Sequence, residues 1–204
     1  MGRLVLALTL LGASGCALTN MSITPPPAVG AGLTGGKQRA VVVVVPFADE
    51  RLARDRCGMK KNGYNMDTAN VYCAQEPARF LADLLAKELA ASGFRIVPAA
   101  EGGAVRIEGR LMQFFVEPKV GAFTFTPEAD VHVRLIASAA TGLLAERDFY
   151  VKGIEESFVG TESNFQLASD TAVRSVVKEM VAAIISLLDR YPDAQLRISA
   201  IPTT

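Results

Sequence analysis

The sequence predicts an α+β fold: a mainly antiparallel sheet of about five strands, with two helices packed on one face. Three observations predict it. Two segments, starting near Pro77 and near Asn164, carry apolar residues at helical spacing. Three segments between residues 104 and 153 alternate apolar and polar residues with the period of a half-buried strand. The five consecutive valines Val41 to Val45 form a β-branched run without alternation, which suits a strand covered on both faces.

The elements follow in chain order. Pro46-Phe47 closes the valine strand. Residues 48–76 read as a long polar connection rich in charge, with an Asn62-Gly63 turn signal. Uncovered loops of this length are uncommon in compact domains and are often functional. Pro77 suits the first turn of a helix, and Phe80, Leu81, Leu84, Leu85 and Leu89 share one face of it. Gly93 fits the residue just past its C-terminus, and a short strand from Phe94 to Val97 follows.

Ala104 to Val116 sets Val105, Ile107 and Leu111 against Arg106, Glu108 and Arg110, with Gly109 as a candidate bulge. Glu128 to Ser138 and Leu143 to Gly153 continue the meander around a Thr141-Gly142 turn. The last helix runs from Asn164 to Tyr191, where Val173, Val177, Val181, Ile184 and Leu188 form a stripe that must be buried.

The N-terminus supplies an address. Arg3, the apolar run Leu4 to Leu11 and the small residues Gly12 to Gly15 compose a secretory signal. The run is far short of the ~20 residues that span a bilayer. Ala13-Ser14-Gly15-Cys16 resembles the junction of bacterial lipoprotein signals, in which the cysteine is lipidated and becomes the new N-terminus. The resemblance implies a diacylglycerol thioether and an amide-linked acyl chain on Cys16. The two or three acyl chains this brings make attachment effectively permanent. It also implies the outer membrane, facing the periplasm, because Ala17 stands where enterobacterial lipoproteins kept at the inner membrane carry Asp.

The expected organisation is therefore a signal peptide at 1–15, a lipidated Pro/Gly-rich tether at 16–38, one domain at 39–192 and a loose tail at 193–204. Pro25-Pro26-Pro27 and the glycines 30, 32, 35 and 36 make the tether an extended, mobile segment. Its 22 residues from Ala17 reach about 70 Å when fully stretched.

The chain has three cysteines, an odd number for an exported protein. Lipidating Cys16 leaves Cys57 and Cys73, which can pair in an oxidising compartment. The rival reading is a two-cysteine metal half-site, but the one histidine, His132, is distant in sequence and a zinc site needs about four ligands. No metal or other cofactor is expected.

Half the residues are apolar, a fifth are charged and formal net charge is zero. Without a basic stripe, a nucleic-acid partner is not expected. No nucleophile elbow, Walker loop or dinucleotide fingerprint occurs. His132 falls on the charged face of a strand, as a solvated residue does, and the Glu155-Glu156 pair fits a strand end. The chain thus reads as non-enzymatic.

Two places remain as interaction candidates. In the 48–76 connection, Arg51, Arg54, Arg56, Lys60, Lys61 and Tyr64 can meet lipopolysaccharide phosphates or an acidic partner, or can belong to a solvated, disulfide-pinned loop. Phe114, Phe115, Phe123 and Phe125 cluster around the meander's first turn, which can dock on a partner or lipid, or fold back over the sheet.

The order of elements, with Phe80 to Val97 (FLADLLAKELAASGFRIV) and Ala129 to Gly153 as the closest passages, resembles the YajG-type lipoproteins of the proteobacterial envelope. The strand Val41 to Phe47 also resembles the first strand of curli-assembly and penicillin-binding-protein-activator lipoproteins. The resemblance implies an envelope lipoprotein without catalytic residues. It would bind or scaffold an envelope protein, lipid or glycan; the alternative is an auxiliary subunit of a lipid or lipopolysaccharide transport system.

Overall fold

The computed structural model describes residues 18–98, 103–121, 124–157 and 160–192. The expected signal peptide, Cys16, Phe123 and the tail 193–204 lie outside these residues. The described chain forms nine strands and two helices. The strands are β1 (Met21–Ile23), β2 (Ala40–Val43), β3 (Ala48–Asp49), β4 (Gly58–Lys61), β5 (Asp67–Cys73), β6 (Arg95–Ile96), β7 (Val105–Val120), β8 (Phe125–Ala139) and β9 (Gly142–Ile154). The helices are α1 (Pro77–Ala91) and α2 (Glu162–Arg190).

The α+β class holds, but the sheet differs from the expected mainly antiparallel one of about five strands. It is mixed: β7, β8 and β9 form the antiparallel meander, whereas β2 runs parallel to both β6 and β7, and β1 runs parallel to β5. The physical reason lies in the connections. β2 reaches β6 through α1, a crossover of the kind that joins parallel neighbours. The extra strands are two to seven residues long, and most are too short to show a period-2 pattern.

β7 shows how the sheet keeps one face apolar. Val105, Ile107 and Leu111 are buried at odd positions, and Phe114 and Val116 at even ones. A bulge between Leu111 and Gln113 inserts the extra residue that switches parity. Gly109, the expected bulge, instead makes room for a ring, since a Cβ there would stand 2.5 Å from Phe47. The glycine gives Phe47 its seat in the core.

α1 begins with Pro77 and ends in a Schellman motif. Phe94 N–H donates to Leu89 O at 3.0 Å and Gly93 N–H to Ala90 O at 3.0 Å, with Gly93 at φ 91°. In α2, Phe165, Met180, Ile184 and Leu188 are fully buried beside Leu81, Leu85 and Leu89 of α1. Each such side chain contributes about 1.5–3 kcal/mol relative to exposure. Gly153 lets α2 approach β9, since a Cβ there would fall 1.9 Å from Ala168 O.

β2 is covered on both sides only in part. Val41 faces the helices, while Ala40 and Val42 pack with Val97 in a small second cluster on the opposite face. Val45 is already exposed.

The segment read as a mobile tether is a packed strap from residue 18 onward. Met21 and Ile23 are buried in β1. Thr24 N–H donates to Gln166 Oε1 at 2.9 Å. Glu88, buried on α1, accepts three consecutive backbone N–H groups, from Val29 at 3.2 Å, Gly30 at 3.0 Å and Ala31 at 3.0 Å. Arg174 of α2 donates to the carbonyls of Ala28 and Val29. Gly36 N–H donates to Ser92 O at 2.8 Å, and Arg39 and Lys37 both pair with Asp189. Proline and glycine composition suggested flexibility, but the strap's backbone groups find fixed acceptors and donors on both helices.

Candidate functional site

The connection 48–76 holds the predicted site residues, and the structure treats them unequally. β4 and β5 form a hairpin within it, and a Cys57–Cys73 disulfide joins the hairpin's two ends. Arg51 is 5% exposed and its guanidinium is committed. It donates from Nε to Asp49 Oδ1 at 3.0 Å, from Nη2 to Asp49 Oδ2 at 2.9 Å and from Nη1 to Arg56 O at 3.2 Å. This bidentate pair is the strong form of a charge-assisted hydrogen bond. Burial pushes the Asp49 carboxyl up, but the Arg51 bonds outweigh it and hold the group below the usual carboxylate value.

Lys60 is 3% exposed and bonds Glu162 Oε1 at 3.1 Å and Thr19 O at 3.0 Å. Lys61 pairs with Glu117 at 2.7 Å. Arg51 and Lys60 therefore serve as internal braces and Lys61 as a brace at the surface, which leaves Arg54, Arg56 and Tyr64 as the more open of the six candidates. Arg54 stays exposed, bonding Arg51 O from Nε at 3.1 Å. Arg56 reaches Asn70 Oδ1 at 3.3 Å, while its buried Nε has no protein acceptor. Arg54 and Arg56 line a cleft of about 310 Å³ with Asp49, Asp55, Tyr72 and Glu76, so opposite charges balance around it. Tyr64, at the tip of the β4–β5 hairpin, is 86% exposed.

The outer face of β8 and β9 is the second polar surface. Asp148 accepts from His132 Nε2 at 2.9 Å and from Arg134 Nε at 3.0 Å. The Arg134 bond, then the His132 bond, hold the Asp148 carboxyl below its usual value. Tyr150 OH donates to Asp130 at 2.6 Å, and this bond pushes the phenol up. Lys152 pairs with Asp130 at 2.8 Å, and the bond pushes the ammonium up. These residues form a ladder of cross-strand pairs, each satisfying its neighbour. His132 is one rung of it. Among the described residues, no group of three His, Cys, Asp or Glu is arranged to hold a metal ion.

The aromatic cluster is divided. Phe114 is buried and packs edge-on against Phe80 at 5.6 Å. Phe125 packs against Phe165 at 6.2 Å. Phe115 lines a shallow groove with the fully exposed Leu52. Between α2 and the β8–β9 sheet, the gap lined by Leu135, Phe149, Ile184 and Leu187 holds about 50 Å³. Small-molecule sites are typically about 300–1,000 Å³, so this gap is several-fold smaller than such a site.

Sequence reasoning missed Glu88 as the anchor of the strap. The signal was present: Glu88 lies four residues after Leu84 and three after Leu85, on the apolar stripe of α1. A lone carboxylate on such a stripe needs a donor.

The fold and its braces define a class: a small α+β domain, stapled by a disulfide and strapped along its N-terminus. The chain belongs to the Lipoprotein_16 family, described as an uncharacterized lipoprotein, and the match spans residues 35–185. Among the described residues, no helix is long and apolar enough to cross a membrane. Among solved structures, the chain is similar to a Xanthomonas campestris protein of the DUF330 family. The two are 15% identical with a TM-score of 0.59, over 85% of this chain and 96% of that one. At that identity the likeness concerns the fold alone. A minor lipoprotein from Acinetobacter baumannii is 11% identical, with a TM-score of 0.40, over 76% of this chain and 93% of that one. A hypothetical protein from Chlamydia trachomatis is 10% identical, with a TM-score of 0.44, over 74% of this chain and 98% of that one. No curated protein matches the chain.

Proposed function

We propose that this lipoprotein is a non-enzymatic binding or scaffolding module, held by lipid on Cys16 at the outer membrane and facing the periplasm. The observation that carries the reading is the pairing of its polar groups. Arg51 with Asp49, Lys60 with Glu162 and Lys61 with Glu117 neutralise one another, and His132 is hydrogen-bonded to Asp148. General acid–base chemistry needs a positioned group free to exchange a proton with substrate, and Arg51, Lys60 and Lys61 instead brace strands. The partner is an envelope protein, lipid or glycan, met through the exposed sheet face or the β4–β5 hairpin. Ala17 after Cys16 supports the outer-membrane side. The likeness of Phe80 to Val97 and Ala129 to Gly153 to YajG-type lipoproteins supports the same reading. The small gap beneath α2 weighs against a lipid-carrying transport subunit.

Cell fractionation tests the anchor: Cys16→Ala is expected to move the protein from membranes to the soluble periplasm, and a variant that stays with membranes overturns it. Crosslinked envelopes test the scaffold: capture of one component, lost when exposed sheet-face residues are replaced, is expected. Recovery of no protein or glycan overturns the binding role.

A further inference from the structure

The start of the strap and two hairpin turns converge on one end of the sheet. β1 runs parallel to β5, with Met21 opposite Val71 and Ile23 opposite Cys73. Upstream of β1 the chain keeps following β5 toward its start: Asn20 Oδ1 accepts from Asn70 N–H at 2.9 Å, and Thr19 O accepts from Lys60 Nζ at 3.0 Å. Beyond Asp67 in that direction lies the turn of the β4–β5 hairpin. β7 is parallel to β4, with Gly58 opposite Val116, so the end of β7 at Val120 and the turn into β8 lie at this end too. Ile154, opposite Glu128, ends β9 there.

This end exposes apolar side chains at its tips, among polar neighbours such as Asn65, Asp67 and Lys119. Leu18 is 68% exposed, Tyr64 86% and Met66 56%, and Ile154 is exposed as well. The β4–β5 tip is also rigid. Asn62 Oδ1 accepts from Tyr64 N–H at 3.0 Å and from Met66 N–H at 3.1 Å, and Asn65 N–H donates to Asn62 O at 2.9 Å. Tyr64 and Met66 are thus held outward by their own turn.

Only two residue steps separate Leu18 from Cys16, a reach of at most about 7 Å. A free tether would leave the domain without a fixed orientation. The packed strap removes much of that freedom, because it holds Thr19 and Asn20, shortly after Cys16, against β4 and β5 at this end of the sheet.

We propose that this end of the sheet is a membrane-contact surface, with Tyr64 and Met66 seated in the headgroup layer of the bilayer that holds the Cys16 lipid. The inference rests on the lipidation of Cys16. A tyrosine ring with its polar tip suits the boundary between headgroups and acyl chains, and a methionine thioether adapts to irregular apolar surroundings. The outer sheet face then stands off the membrane, open to a partner.

The chain contains no tryptophan, so a single introduced one reports alone. The lipidated full-length Tyr64→Trp variant is reconstituted with vesicles of phosphatidylethanolamine and phosphatidylglycerol carrying brominated acyl chains. Its emission is expected to shift to the blue and to fall roughly twofold against unbrominated vesicles, as for a group seated at the headgroup–acyl boundary. A Tyr191→Trp variant is the control. Tyr191 follows the 29 residues of α2, about 44 Å of helix from the Glu162 end that meets Lys60, and its emission is expected to stay unquenched.

Vesicle-bound protein in which the Tyr64→Trp emission is unquenched, or in which both positions quench equally, overturns the inference while leaving the anchor intact. Protein that fails to float with the vesicles overturns the anchor, and the inference falls with it.

Discussion

Replacing Glu88 by alanine should loosen the strap. The carboxylate accepts the N–H groups of Val29, Gly30 and Ala31, and Val29 is itself buried. A hydrogen bond to a charged group is worth about 1.5–3 kcal/mol net, and an orphaned buried donor costs about 1–3 kcal/mol. Gly30 is exposed, so its N–H recovers a bond from water when Glu88 is removed. Counting the Val29 bond in full and the other two at part value gives a loss of about 3 kcal/mol. Glu88→Gln keeps one carbonyl oxygen for Val29 and Gly30 but turns an amide toward Ala31, so about half that loss is expected. Urea unfolding in a Cys16→Ala background measures the free energies, and amide exchange at residues 29–31 shows whether the strap has opened. A Glu88→Ala variant within about 0.5 kcal/mol of the parent, the range of ordinary surface substitutions, with residues 29–31 still protected, refutes the strap as a structural element held by this carboxylate.

Two more predictions follow from the hairpin region. The Cys57–Cys73 bridge spans a sequence separation of 16, and closing such a loop is worth about 3 kcal/mol in the chain-entropy model. The Cys57→Ala/Cys73→Ala variant should lose about that much in urea titration, and reductant should lower the parent's midpoint but not the variant's; a parent indifferent to reductant refutes the brace. Asp49 is held below the ordinary 3.8 by Arg51. Its pairing therefore contributes stability above the unfolded value, and that contribution is lost as pH falls through the lower, folded one. Asp49→Asn should cost melting temperature at neutral pH and progressively less below 3.8; a gap that does not narrow in acid refutes the linkage.

The helices and the meander were legible because their periods are long. α1 and α2 span 15 and 29 residues, enough for a repeated apolar stripe to stand out from noise. β7 to β9 span at least 13 residues each, and a stretch of each alternates. Of the short parallel strands, β6 was legible within Phe94 to Val97, but β1 and β3 were not. β1 has three residues and β3 two, and such strands exist only because longer neighbours offer them a ladder. The bulge between Leu111 and Gln113 was invisible for a similar reason, since parity has meaning only against β8.

The candidate site divides along the same line. The cysteine count, the lone histidine on a charged strand face and the small-residue junction at Cys16 follow from the sequence alone, because residue type and spacing suffice for them. Which cations in 48–76 meet solvent does not. Arg51 and Lys60 resemble Arg54 in sequence, but their partners Asp49, Thr19 and Glu162 are brought together by the folding of β4 against β5 and of α2 over the sheet. The strap is the clearest case. Proline and glycine content describes how an isolated segment behaves. Glu88, Arg174 and Ser92 supply acceptors and donors from elements far along the chain, and tertiary structure alone places them under residues 28–36. The sequence by itself determined the helices and the meander, which depend on local pattern; the tertiary structure decided that residues 18–36 pack against the domain, because that depends on long-range hydrogen bonds.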